Sequence, residues 1–408
     1  MKAWQLKVFT AVAVGVPALF IRFSGAEAAP LASLVIFGIA IVGAASLLAW
    51  AAEAAQVDIS AGLAVAILAL IAVLPEYAVD LYFAYVSGSD PQFGHYAAAN
   101  MTGSNRLLLG LGWPAVAFVF ILGARKAGHQ TKELVLDDRR RTELTFLVVA
   151  SVYAFIIPAM RQITLVDTVV LLALFAAYLK VVASEEQSDP ELVGVAADIG
   201  SLPRAKRRSA VGALFAVAAV IVLASAEPFA HALVESGTEL GIDEFLLVQW
   251  LAPLASESPE FIVAAILAFR GNGDAGLGTL LSSKVNQWTL LVGSIPLAHF
   301  IGGGGFDLGL DMRQTEEFLL TTAQTVLGIA MLINLRFSLK ESAALFGLFA
   351  VQFVFPGVTA RLLFSAVYLL VAAVLLLRRP ESVAQVWRTF ISLIATQGKS
   401  AERYARKT

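Results

Sequence analysis

The chain contains no cysteine, which excludes disulfides and thiolate metal sites. It has little charge: Asp, Glu, Lys and Arg make up 15% of its 408 residues, against about 25% in a typical soluble protein. Histidine is rarer still. The four copies, His95, His129, His231 and His299, are scattered and no two stand at helical ligand spacing. What replaces the missing polar residues is apolar: 58% of the chain is hydrophobic and its mean hydropathy is +0.78. Soluble domains run near ~45–50% apolar, so composition alone indicates an all-α integral membrane protein. The net charge of -2 is uninformative, because the charges are unevenly placed.

A membrane helix needs roughly 20 mainly apolar residues. About twelve segments qualify: 4–23, 30–52, 60–86, 97–123, 144–160, 163–183, 209–229, 244–269, 276–300, 316–335, 339–355 and 361–377. The first lacks a small-residue cleavage site and ends at Arg22, unlike a cleaved signal. Basic residues cluster in three connecting segments: 124–143 (Arg125, Lys126, Lys132, Arg139, Arg140, Arg141), 184–208 (Arg204, Lys206, Arg207, Arg208) and the tail after 377. Basic loops favour the cytoplasm. Twelve spans with both termini cytoplasmic put all three there, whereas eleven would export one. An inner, plasma-type membrane is the expected location. The opposite connections are acidic or neutral, with Glu235, Glu239, Asp243, Asp307 and Asp311. Residues 381–395 carry Val386, Trp387, Phe390, Ile391 and Ile394 around Arg388, a pattern that suits an amphipathic helix on the inner surface or, equally, an unstructured basic tail.

The chain repeats itself. IAVLPE at 71–76 corresponds to ASESPE at 255–260, each followed by an apolar stretch, a polar turn and a second apolar segment. That segment begins with Asn100-Met101-Thr102-Gly103-Ser104-Asn105-Arg106 in one copy and Thr279 to Gln287 in the other. Downstream, TELTFLVV at 142–149 parallels TEEFLLTT at 315–322, and 160–179 parallels 335–354. Each unit then holds five spans. Two odd units in series insert in opposite directions, the arrangement of secondary transporters with a midplane site. The expected organisation is an extra helix at 1–29, a first repeat at 30–183, a cytoplasmic linker at 184–208, a second repeat at 209–356, and an extra helix with a basic tail at 357–408.

Four carboxylates stand inside the apolar segments of the motifs: Glu76, Asp80, Glu257 and Glu260. Two cations accompany them, Arg106 and Lys284. A charge at a helix centre costs roughly 2.5–3.5 kcal/mol even on insertion scales, so intramembrane charges point to a site. Glu76 and Asp80 are four apart and Glu257 and Glu260 three apart, so each pair can share a helix face. Pro75 and Pro259 each free a backbone carbonyl. Carboxylate and carbonyl oxygens suit hard cations such as Na⁺ or Ca²⁺. Ser104, Asn105, Ser283, Asn286 and Gln287 add polar groups that could equally bond between helices. Lys284 could snorkel. Arg106 is expected as a counter-charge, and His95 and His299 as interfacial residues.

On these residues the sequence resembles the sodium/calcium exchanger family, within the calcium:cation antiporters. The family's two repeats carry a Gly-Thr-Ser-Leu-Pro-Glu-like motif and a Gly-Asn-x-x-Gly-Ser-Asn-like motif. Leu74-Pro75-Glu76 and Ser258-Pro259-Glu260 match the first, and Asn100 with Gly103-Ser104-Asn105 matches the second. The resemblance implies that Glu76 and Glu260 are the central ion-binding carboxylates, with Ser104 and Ser283 lining the site. Asp80, Asn105 and Glu257 complete the expected ligands, and Lys284 and Arg106 the charge compensation. The chain departs from the pattern at Ala72-Val73 and Ser256-Glu257, at Leu108 and Gln287, and at Lys284, which replaces an asparagine and can take the place of a bound monovalent cation.

The expected function is secondary active antiport by alternating access, moving Ca²⁺ or another cation against Na⁺ or H⁺. The other reading is a non-transporting scaffold or sensor in which Lys284 and Arg106 simply neutralise Glu76 and Glu260. Paired carboxylates can do acid/base chemistry, but there is no nucleophile constellation, so an enzyme is not expected. The expected partners are inorganic cations and the bilayer, without covalent cofactor or nucleic acid, and the loops leave no room for a folded regulatory domain.

Overall fold

A computed structural model describes residues 3–58, 74–129, 131–184, 192–355 and 357–405, without the side chains of Pro259 and 394–405. The 60–73 part of the expected third span, with Ala72 and Val73, lies outside the described residues, as does 185–191 of the linker. Eighteen described helices follow in chain order. They are α1 (Ala3–Ala13), α2 (Val16–Ser24), α3 (Pro30–Ala55), α4 (Leu74–Val86), α5 (Gln92–Leu107), α6 (Trp113–Lys126), α7 (Arg140–Ala154), α8 (Ile156–Met160) and α9 (Leu165–Val182). Then come α10 (Gly194–Gly200), α11 (Arg204–Leu240), α12 (Glu244–Phe269), α13 (Gly273–Asn286), α14 (Val292–Ile301), α15 (Met312–Leu332), α16 (Leu339–Val351), α17 (Val358–Arg378) and α18 (Pro380–Ala405). A π-helical turn joins α5 to α6 at Leu108–Gly112, and another joins α13 to α14 at Gln287–Leu291.

Seven of the described helical stretches are long and apolar enough to cross a membrane, or eight if α12, bent by 54° between Ser258 and Glu260, is one span. The other expected spans fall short for physical reasons. The 276–300 segment is helical in α13 and α14 but carries Ser282, Ser283, Lys284, Asn286 and Gln287. The 316–335 segment, in α15, carries Glu316, Glu317 and several polar residues. The 339–355 segment forms only the 13 residues of α16. In the other direction, 209–229 extends to the 37-residue α11, about 55 Å of helix. Pro203 precedes it, Gly241 ends it in the left-handed region (φ 63), and Glu235 and Glu239 lie in its last turns rather than in a loop. The tail, read equally as an amphipathic helix or an unstructured basic segment, is helical as α18, with Val386 buried and Trp387 exposed.

Apolar residues fill the core and also cover much of the exterior. Leu363, Leu370 and Leu377 of α17 are exposed, while Glu76, Asp80, Asn105, Arg106, Glu257 and Lys284 are buried. An apolar exterior with charged side chains buried inside fits a bilayer solvent, where such charges face the bundle. α12 sits centrally, packed against α3, α4, α5, α6, α11 and α13. Two glycines permit this. A Cβ on Gly103 of α5 would lie 1.7 Å from the Gln249 carbonyl oxygen, and one on Gly276 of α13 would lie 2.5 Å from that of Ala264.

Two short antiparallel ribbons tie distant parts of the chain. β1 (Glu133–Val135) pairs with β4 (Arg336–Ser338), and β2 (Gln162–Thr164) with β3 (Asp307–Gly309). Their flanking bonds match in kind. Leu136 N–H donates to the Leu335 carbonyl and Leu310 N–H to that of Arg161, both at 2.8 Å. Leu165 N–H donates to Phe306 O and Leu339 N–H to Lys132 O. Arg161 and Leu335 are the two described non-glycine residues with positive φ. Each is followed by a helix with a capping box, Thr164 with Asp167 and Ser338 with Glu341.

Candidate ion-binding site

Glu76 lies in the first turn of α4 and Asp80 one turn later, both buried. Glu257 and Glu260 flank the bend of α12. A proline at 259 has no N–H for the Ala255 carbonyl, and Ser258 Oγ donates to that oxygen at 3.3 Å. The carbonyl expected as an ion ligand is thus engaged within its own helix.

The carboxylates are joined by an amide. Gln287 Nε2, at the start of the second π turn, donates to Glu76 Oε2 at 3.1 Å and to Glu257 Oε1 at 2.7 Å. Glu76 Oε1, Glu257 Oε2 and Gln287 Oε1 are buried without a hydrogen-bond partner among the described residues. Glu260 accepts from Ser283 Oγ at 2.6 Å and lies within electrostatic reach of both Glu76 and Glu257. Ser104 stands beside Glu76 and donates to the Met101 carbonyl at 3.1 Å. Asp80 Oδ1 accepts from Asn100 Nδ2 at 2.7 Å, and its Oδ2 is unpartnered. The Tyr77 hydroxyl donates to Asn286 Oδ1 at 3.0 Å. Side chains of α4, α5, α12 and α13 therefore converge. Among the described residues no three acidic or histidine side chains close into a chelate.

The two expected counter-charges, Lys284 and Arg106, have different partners. Lys284 is fully buried, but its ammonium makes no ion pair with Glu76 or Glu260. It donates to Asn105 Oδ1 at 2.5 Å and to the Asn105 carbonyl at 3.3 Å, and sits 4.4 Å from the centre of the Trp288 ring. Asn105, expected as an ion ligand, thus has its side-chain oxygen taken by an ammonium, while its Nδ2 donates to the Met101 carbonyl. Full burial also rules out snorkelling. Arg106 points away from the carboxylate cluster. It pairs with Glu317 of α15, donates to Gln352 and stacks on Trp250. Glu317 also accepts from Arg361 Nε of α17 at 2.7 Å, Glu316 lies 3.5 Å from the same guanidinium, and Gln352 bonds the Tyr368 hydroxyl. Sequence reasoning missed this second centre, although the adjacent carboxylates in Thr315-Glu316-Glu317-Phe318 within an expected span signalled it. Of the interfacial histidines, His95 is half-exposed and meets Asp311, whereas His299 is buried and its Nδ1 meets Ser87 Oγ at 2.7 Å.

Known proteins resemble the chain in sequence and in fold. The family model for the sodium/calcium exchanger protein matches residues 29–183 and 211–358. A crystal structure of the H⁺/Ca²⁺ exchanger CAX shares 41% identity, covers 97% of this chain and 99% of its own, and superposes with a TM-score of 0.91. Native YfkE, at 14% identity, covers 90% of this chain and 99% of its own with a TM-score of 0.63, a likeness of fold. CaxA of Alkalimonas amylolytica is 26% identical over 144 residues, which are 35% of this chain and 43% of that protein's length. With apolar helices outside and paired carboxylates buried within, the chain belongs to the sodium/calcium exchanger family, whose members are secondary cation transporters rather than enzymes.

Proposed function

We propose that the protein exchanges Ca²⁺, or a cation of similar hardness, for protons across an inner, plasma-type membrane by alternating access. Glu76 and Glu260 are the principal ligands, aided by Glu257, Ser104 and Ser283. The observation that carries this reading is the Gln287 bridge between Glu76 and Glu257, which leaves one buried oxygen of each carboxylate without a partner. Such oxygens are hard donors for a divalent ion, which takes six to eight of them. Two carboxylates can equally carry two protons, so one site can hold either cargo. The 41%-identical relative is an H⁺/Ca²⁺ exchanger, which favours H⁺ over Na⁺ as the counter-ion.

The topology proposed with it has twelve spans, two five-span repeats in opposite orientation and cytoplasmic termini. The ribbons support the repeat: exchanging the two halves turns the β1–β4 pair into β3–β2, with its flanking bonds. The π turns also fall at corresponding places after the Ser104 and Ser283 motifs. Boundaries at 1–29, 30–183, 184–208, 209–356 and 357–408 follow from this and lie close to the two matched stretches. The scaffold reading, which rests on the departures from the family motif, expects Lys284 and Arg106 to neutralise the central glutamates; Arg106 instead pairs with Glu317, while Lys284 bonds Asn105 within electrostatic reach of Glu76 and Glu257.

Radioactive calcium uptake into proteoliposomes tests the proposal. A pH gradient should drive uptake and a Na⁺ gradient should not. Glu76→Gln and Glu260→Gln should each abolish it. Uptake driven only by Na⁺ would reassign the counter-ion, and uptake unchanged in both variants would falsify the site.

A further inference from the structure

The cytoplasmic end of α6 carries a second concave feature, outside the carboxylate cluster. A cavity of about 470 Å³ is lined by Arg125, Gly128, His129, Thr131 and Lys132. None of its three basic side chains makes an ion pair among the described residues. The acids of the same loop are all engaged elsewhere: Glu133 with Arg336, Asp137 with Arg139 and Asp138 with Arg141. The Thr131 hydroxyl donates to the Glu133 carbonyl, which leaves its lone pairs outward and the basic groups as the donors of the cavity.

The helix surface leading to this cavity is apolar and exposed. Phe118 and Leu122 are 51% and 37% exposed. With Arg125 they are spaced i, i+4, i+7, which places all three on one face of α6. Ile262, Ile266 and Phe269 of α12 have the same spacing and are also exposed. The two helices meet at their ends, where the Lys126 ammonium lies 5.3 Å from the centre of the Phe269 ring. Two apolar stripes of about 10 Å each therefore run to a cluster of cationic and N–H donors.

We propose that this cavity binds the phosphate of an anionic phospholipid, with its acyl chains against Phe118, Leu122, Ile262 and Ile266. Arg125 and Lys132 supply charge and fork or point donors to the phosphate oxygens, and His129 supplies a ring N–H. Basic pockets at the ends of membrane helices select anionic headgroups in this manner. The apolar stripe is what separates a lipid from a soluble phosphate, which would gain nothing from it.

Native mass spectrometry tests this on the full chain released from nanodiscs holding equal amounts of phosphatidylglycerol and phosphatidylcholine. The wild type should retain phosphatidylglycerol with about tenfold preference. The triple variant Arg125→Gln, His129→Gln, Lys132→Gln should retain both lipids alike. Arg388→Gln, an exposed basic residue of α18, should keep the preference. Equal retention by the wild type, or a preference surviving in the triple variant, overturns the proposal. Thermal stabilisation in lipid-free detergent by millimolar inorganic phosphate, matching that given by phosphatidylglycerol, would make the ligand a soluble anion and overturn it too.

Discussion

At the residue scale, the informative position is Lys284. It occupies the place of an asparagine in the family motif and reaches across to Asn105, the residue at the matching position of the other repeat. A lysine amine so placed is tethered where a free monovalent cation could otherwise sit. The substitution Lys284→Met keeps most of the volume and removes the charge. Asn105 Oδ1 and the Trp288 ring then lose their cation, and a free ion can replace it. The melting temperature of the purified wild type should be insensitive to added Na⁺ or K⁺, while that of Lys284→Met should rise with one of them. A salt-independent melting temperature in the variant would sink this role. Gln287 was legible as a departure from the motif and as a polar group able to bond between helices, but its partners were not. That it joins Glu76 to Glu257 depends on α4 and α12 meeting beside the second π turn.

At the scale of elements, the chain holds its helices by a few buried polar ties that sequence periodicity does not reveal. The Arg106–Glu317–Arg361 chain links α5, α15 and α17. Removing one partner of a buried pair costs about 3–5 kcal/mol, because the other charge is left uncompensated. Arg361→Gln should therefore lower stability by that order in chemical unfolding. In a Glu317→Gln background the same change should cost less, since the carboxylate that Arg361 pairs with is already gone. Additive losses in the double variant would show that the two do not interact. Close backbone packing acts at the same scale. Gly103→Ala forces a methyl into the Gln249 carbonyl, and overpacking of this kind costs typically about 1–3 kcal/mol. A fall in the melting temperature of the detergent-purified variant is the expected outcome.

For the whole molecule, the ends of α3 and α11 are fastened outside the apolar layer. Arg207 donates to both oxygens of Asp58 at 2.7 and 2.9 Å, and Arg204 and Arg208 lie near it. The hydrogen bond from Arg207, reinforced by the three guanidinium charges, holds the Asp58 carboxyl below its usual range. A depressed folded value means that Asp58 stabilises the fold fully above the ordinary carboxylate pKa near ~3.9. The contribution is lost as pH falls through the lower folded value. Melting curves of wild type and Asp58→Asn should differ at neutral pH and converge in acid. A difference that widens in acid would contradict the sign. The three arginines that the loop charges marked as cytoplasmic thus form one clamp.

The sequence by itself determined that the chain is a helical membrane protein of the exchanger family. Bilayer solvation demands apolar runs, and every carboxylate within them stands out against that background. The paired Pro-Glu motifs, Glu76 and Glu260, were legible for that reason. Only the tertiary structure decided which polar groups meet. Hydropathy counts a buried polar helix such as α13 or α15 as a weak span, although its polar face packs on protein instead of lipid. The partners of Lys284, Arg106 and Gln287 lie up to 246 residues away in sequence. Local spacing carries no information across such intervals, because the contacts are set by how α12 packs between the helices around it.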